Sequence, residues 1–167
     1  MALTYFKRYR MEVRLDRIAS NQLIPMPAGF EALAWSPKLV NRHADVKWES
    51  FREEIDAHVF PCLGSRAGCR NLMREISGRN DFVPQATWLA CRTAHVDSNQ
   101  TDCGTVQGLM TSAREGAIQN LGVHPDYRDQ GIGGGHGVMV SPGAPGPVGR
   151  ADVGHRPAVR LEAEHEI

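Results

Sequence analysis

The stretch that decides the fold runs Ile118-Gln119-Asn120-Leu121-Gly122-Val123-His124-Pro125-Asp126-Tyr127-Arg128-Asp129-Gln130-Gly131-Ile132-Gly133-Gly134. A strand over Ala117 to Val123 is turned by Pro125 and Asp126, and a glycine-rich loop then opens a helix. Backbone N–H groups at such a helix start converge on one point and carry the positive end of the helix dipole. Gly131 and Gly133 lack the Cβ atoms that would hold a bulky anion away. Arg128 can add a charge-assisted hydrogen bond. These features together predict a pyrophosphate site.

Two common phosphate loops do not fit. A Walker loop needs a Gly-Lys pair followed by Ser or Thr, and the chain has no Gly-Lys pair. The dinucleotide pattern G-x-G-x-x-G, started at Gly131, requires glycine where His136 stands.

Upstream, the sequence reads as alternating strands and helices. Tyr9 to Leu15 alternates apolar and charged residues with period two, as a half-buried strand does. Gly29 to Trp35 is a second strand. Ser36-Pro37 has the form of a helix start, and Val40, Ala44, Trp48, Phe51 and Ile55 then mark one apolar face of a helix of about five turns. A second helix fits Ser65 to Ser77, with Cys69, Leu72, Met73 and Ile76 on one face and Gly78 as its stop. Three strands follow at hairpin-like separations: Thr87 to Arg92, Gly104 to Met110 and Ala117 to Val123. This order predicts an α/β (α+β) domain with a mostly antiparallel, mixed sheet and flanking helices.

From Val123 to Gly133 the chain matches V-x-P-x-x-R-x-x-G-x-G, placed after a strand. In this motif it resembles the GCN5-related N-acetyltransferases, and the element order of residues 29–134 resembles that family as well. The strand at Tyr9 to Leu15 would be an addition before the family core. The resemblance implies an acyl-CoA N-acyltransferase fold and acetyl-CoA as co-substrate. It implies that Leu121, Gly122 and Val123 pair with the pantetheine arm as an added strand. It also implies that Arg128, Asp129, Gln130, Gly131, Ile132, Gly133 and Gly134 wrap the pyrophosphate. A backbone N–H near Leu121 would serve the oxyanion. The implied reaction moves an acetyl group to a primary amine, which must first lose a proton. Gln119 and Asn120 cannot act as that base. Glu53 and Glu54 read as a solvated helix face, and His58, His95 and His124 as loop or surface residues. No catalytic base is assigned.

Composition breaks near residue 131. All eleven aromatic residues lie between Tyr5 and Tyr127. The last 37 residues hold nine Gly and four Pro, against eight and six in the first 130. Residues 1–136 therefore read as an acetyltransferase-like domain and 137–167 as an irregular tail. Pro142, Pro145 and Pro147 exclude a helix there, and Ala158 to Glu164 alternates weakly and could mimic a strand. The family pattern is thus incomplete at the C-terminus, where it would have a helix, a strand and a helix bearing a tyrosine acid. An alternative function follows, a truncated acyl-CoA-binding fragment with little turnover. An exposed apolar edge on the motif strand would favour self-association.

Nineteen basic and nineteen acidic side chains balance to zero net charge, which disfavours nucleic-acid binding through bulk charge. No apolar run approaches the about 18 residues of a membrane span, and the N-terminus lacks the apolar stretch of a signal peptide. The expected location is the cytoplasm. Cys62, Cys69, Cys91 and Cys103 form no C-x-x-C pair and read as reduced, partly buried thiols, with no metal site. The sequon at Asn99 carries no weight without a secretion signal.

Overall fold

A computed structural model describes residues 25–93, 100–113 and 115–134, together with the backbone of 11–13 and 158–161. The strands are β1 (Met11–Val13), β2 (Phe30–Ala34), β3 (Phe82–Arg92), β4 (Thr101–Ser112), β5 (Glu115–Val123) and β6 (Ala158–Leu161). The helices are α1 (Val40–Phe51), α2 (Ile55–Val59) and α3 (Arg66–Ser77). One six-stranded sheet runs in the order β1-β6-β5-β4-β3-β2. Every neighbouring pair is antiparallel except β5 and β6, which are parallel. The sheet is mixed and mostly antiparallel, with helices packed against it.

Within this frame three expectations shift. The five-turn helix predicted from Val40 to Ile55 stops at Phe51, and Ile55 opens α2 instead. In a longer helix the Ser50 carbonyl would accept the Glu54 N–H; here that N–H turns to the Phe51 carbonyl at 2.9 Å, and the Ser50 carbonyl takes the Arg128 guanidinium at 2.9 Å. Strand β3 starts at Phe82 rather than Thr87, because its pairing with β4 skips a register between Val83 and Trp88 around Pro84. Residues 158–161, assigned by composition to an irregular tail, form β6 beside β5. A parallel neighbour needs a crossover of a dozen or more residues. Residues 137–157, His95 and Asn99 lie outside the described residues.

Helix α3 begins and ends as its sequence predicts. The Ser65 hydroxyl accepts from the Gly68 N–H at 3.1 Å, and the chain leaves the helix at Gly78. Its apolar face buries Cys69 and Met73 against Ala44 and Leu63, with Trp48 and Phe51 packed alongside. The face Val40–Ala44–Trp48–Phe51 of α1 therefore meets α3. Toward the sheet α1 turns a second seam, made of His43, Val46, Lys47 and Ser50, all buried. Leu89 and Cys91 of β3 pack on Val46, whereas Ala90 points to the opposite face and meets Ile132. The period-two alternation of β3 thus covers both faces of the sheet.

Candidate functional site

Strand β5 is irregular at its centre. Thr105 of β4 pairs with Gly122 and Gln107 with Gln119, so two steps on β4 face three on β5. The extra residue makes a bulge, and Asn120 within it has φ +54°. Asparagine is among the few non-glycine residues that enter the left-handed region readily. On the other edge of β5, the described pairing with β6 ends at Ile118↔Leu161. Leu121, Gly122 and Val123 lie beyond that last pair.

A cleft of about 450 Å³ opens at this point, between β5 and the break from α1 to α2. Gln119, Asn120, Leu121, Gly122 and Val123 form one side, and Ser50, Phe51, Glu54, Asp56 and Phe60 lie on the other. Leu121 and Phe60, two of the exposed large apolar side chains among the described residues, both line it. Gly122 has a packing reason. A Cβ there would lie 2.8 Å from Phe51 Cε2 and 3.0 Å from Ser50 Cβ. Only glycine lets the end of α1 close on β5.

After β5, Pro125–Tyr127 form a single 3-10 turn. The His124 Nδ1 accepts the Asp126 N–H at 3.2 Å, which makes this histidine a turn cap. The following loop holds two left-handed residues, Asp129 at φ +59° and Gly131 at φ +83°. Left-handed residues in such a turn form the concave backbone pattern that receives anions. A Cβ on Gly133 would meet nothing within 4 Å, so space lies open beside it. Ile132 is buried against Ala90 and Cys103 and anchors the loop to the sheet. Its side chain therefore faces the core, and only its backbone is free to face a ligand.

Arg128 stands differently from its sequence reading. Its guanidinium donates to Glu54 Oε1 at 2.7 Å, to the Ser50 carbonyl at 2.9 Å and to the Val123 carbonyl at 3.2 Å. Its own N–H donates to the Pro125 carbonyl at 3.2 Å. The side chain ties the loop to α1 instead of reaching out to an anion. Glu54, read as a solvated face, is the partner in that tie and lines the cleft, whereas Glu53 stays exposed. His58 lies in the last turn of α2.

Beneath the bulge runs a buried polar chain that the apolar periodicity of α1 conceals. His43 Nδ1 and Thr105 Oγ1 are 2.8 Å apart, and Gln107 Nε2 donates to Thr105 Oγ1 at 2.5 Å. Lys47 Nζ donates to Gln107 Oε1 at 2.7 Å and to Asn120 Oδ1 at 3.1 Å. Lys47 is fully buried, and burial lowers its pKa from 10.5 to about 7. The i, i+4, i+7 line of His43, Lys47 and Ser50 was the available sequence signal.

The four cysteines are free thiols, three of them buried. Burial pushes Cys69 up to about 11 and raises Cys91 and Cys103 as well. Cys91 lies 3.2 Å from Asp102 Oδ1, and Arg42 grips that carboxylate from α1. Among the described residues no three metal-ligating side chains converge, and no helix is long and apolar enough to cross a membrane.

No protein-family model matches the chain, and no curated protein matches it significantly. Among solved structures, it is similar to a GCN5-related N-acetyltransferase from Sphaerobacter thermophilus, with a TM-score of 0.59 and 19% identity. That likeness covers 96% of this chain but only 44% of the other, so the chain spans less than half of that protein. A second likeness is to a structure from Pyrococcus horikoshii described as "A Putative Acetyltransferase", with a TM-score of 0.42 and 17% identity. It covers 64% of this chain and 31% of the other, and adds no weight. The bulged β5 and the glycine loop thus sit in a known frame: the chain has the fold of the GCN5-related N-acetyltransferases.

Proposed function

We propose that this chain binds acetyl-CoA along the C-terminal end of β5 and transfers its acetyl group to a primary amine. The observation that carries this reading is the bulge at Asn120, followed within a few residues by the glycine loop with its left-handed Asp129 and Gly131. Backbone groups of Leu121, Gly122 and Val123 would pair with the amide-bearing pantetheine arm. The N–H groups of residues 129–134 would take the pyrophosphate, with Arg128 bracing the loop from behind. The thioester would then lie at the bulge, facing the cleft.

In that position the acceptor nitrogen approaches from the side of Phe51, Glu54 and Phe60. Apolar walls hold the acceptor, and the carboxylates of Glu54 and Asp56 attract its ammonium form. The amine must lose its proton to a carboxylate of the cleft or to water held there.

A second reading, an acyl-CoA-binding protein with little turnover, is favoured by one contact. Glu54 is held by Arg128 at 2.7 Å, which opposes its use as a base. Calorimetry of acetyl-CoA tests the shared part of both readings. Release of CoA thiol across a panel of amines separates them: amine-dependent release supports transfer, and tight binding without release supports the second reading. Failure to bind acetyl-CoA removes both.

A further inference from the structure

We propose that Lys47 is a positioning residue for the thioester carbonyl, holding the Asn120 amide by its oxygen so that the Asn120 nitrogen serves as a donor at the bulge. This role rests on the acetyl-CoA reading above. Lys47 has no exposed surface, and its hydrogen bonds go to two amide oxygens rather than to a carboxylate. A buried amine so placed carries a desolvation penalty that an apolar side chain would not. What it supplies is direction. Charged or neutral, it carries at least two N–H donors, enough for Gln107 Oε1 and Asn120 Oδ1.

Gln107 is fixed in turn, because its other end donates to Thr105, which His43 holds from α1. The chain of bonds therefore runs from the body of the fold to the one strained residue of β5, Asn120 at φ +54°. With Oδ1 turned to Lys47, the Nδ2 donors are the end of the side chain turned away from it. Asn120 lines the cleft. In the transfer, the amine nitrogen bonds to the thioester carbonyl carbon and the carbonyl oxygen takes up negative charge. Collapse then breaks the C–S bond, and the CoA thiolate leaves and takes up the proton the amine gives up. Asn120 Nδ2 and the bulge backbone would stabilise that oxygen, and preorganised donors of this kind act only if they are held still.

The test uses acetyl-CoA labelled with ¹³C at the carbonyl, observed by NMR when bound to wild type, Lys47→Met and Asn120→Gly. A donor at the oxygen moves the bound carbonyl signal downfield. Both substitutions should abolish most of that shift while calorimetric affinity stays within about threefold, since the pyrophosphate loop is untouched. Lys47→Met should add nothing in the Asn120→Gly background. Where turnover is measured, kcat should fall about 10–100-fold with the KM for acetyl-CoA unchanged. Asn120→Gly keeps the left-handed backbone without strain, so the test stands even if Lys47→Met folds poorly. An unchanged carbonyl signal in a variant that binds normally would overturn the proposal and leave the acetyl-CoA reading intact. Failure of wild type to bind acetyl-CoA would overturn that reading first, and this role with it.

Discussion

Arg128 donates from Nη1 to Glu54 Oε1 at 2.7 Å, a contact that joins residues 74 apart in the chain. Through this pair and the Ser50 carbonyl, the loop after β5 is fastened to the point where α1 ends. Both side chains are about two-fifths exposed, 41% and 42%, so the ion pair itself is screened by water. Arg128→Met should cost about 1 kcal/mol at low salt, most of it from the lost Ser50 carbonyl bond. Urea unfolding at low and high salt, with Glu54→Gln as the second arm, gives the coupling. A coupling above about 2 kcal/mol would contradict the exposed geometry.

Gly122 closes the other side of the same junction. A valine at this position would drive its side chain into Phe51 and Ser50, which lie 2.8–3.0 Å from the Cβ position. Overpacking of this kind costs about 1–3 kcal/mol. Gly122→Val should therefore lower the urea midpoint and open the cleft. A midpoint equal to wild type would show that α1 is not pressed against β5.

The two loop glycines should respond differently. Gly133→Ala places a methyl group in open space, so stability should not fall, yet acetyl-CoA affinity should. Gly131→Glu meets a φ of +83° and sets a carboxylate toward the phosphates, and it should abolish binding. Gly131→Ala controls for backbone strain, which costs about 1–2 kcal/mol, together with the 3.3 Å approach of its Cβ to Pro27 Cγ. Calorimetry beside thermal unfolding reads both properties. Wild-type affinity in Gly131→Glu would exclude the loop as the anion site.

Lys47 makes stability depend on pH. Its pKa falls from 10.5 unfolded to about 7 folded, so between these values the unfolded chain holds a proton that the folded chain has released. Stability should therefore rise with pH from about 7, by up to about 1.4 kcal/mol per pH unit. Above about pH 9 the buried thiols oppose it. Burial raises Cys69, Cys91 and Cys103, so the unfolded chain loses thiol protons first and stability declines. Urea midpoints from pH 6 to 10 should pass through a maximum. Lys47→Met should remove the rising limb and keep the falling one, and a rising limb unchanged in that variant would contradict the assignment.

The sequence alone determined the local elements, because each rests on contacts between near neighbours. Ser65 and Gly78 bound α3 through a cap and a stop within one turn of each end, and both are readable as residue types at fixed spacing. The alternation of β3 and the turn at Pro125 are local in the same sense. The loop from Arg128 to Gly134 could be recognised for the same reason, since its glycines answer to the backbone.

What tertiary structure decided is where side chains of distant segments meet. No periodicity could show that Arg128 would reach the Ser50 carbonyl at the end of α1, or that Gly122 is needed because Phe51 lies against it. The apolar stripe of α1 was legible, but it faces α3. The seam of His43, Lys47 and Ser50 faces the sheet, and there the buried partners Thr105, Gln107 and Asn120 come from strands about 60–73 residues away. A lysine reads as surface until the fold supplies oxygens to receive it, because a buried amine is tolerated only where its hydrogen bonds are made. Strand β6 follows the same rule: a parallel strand gains its hydrogen bonds only from the neighbour beside it, and four residues of sequence do not name that neighbour.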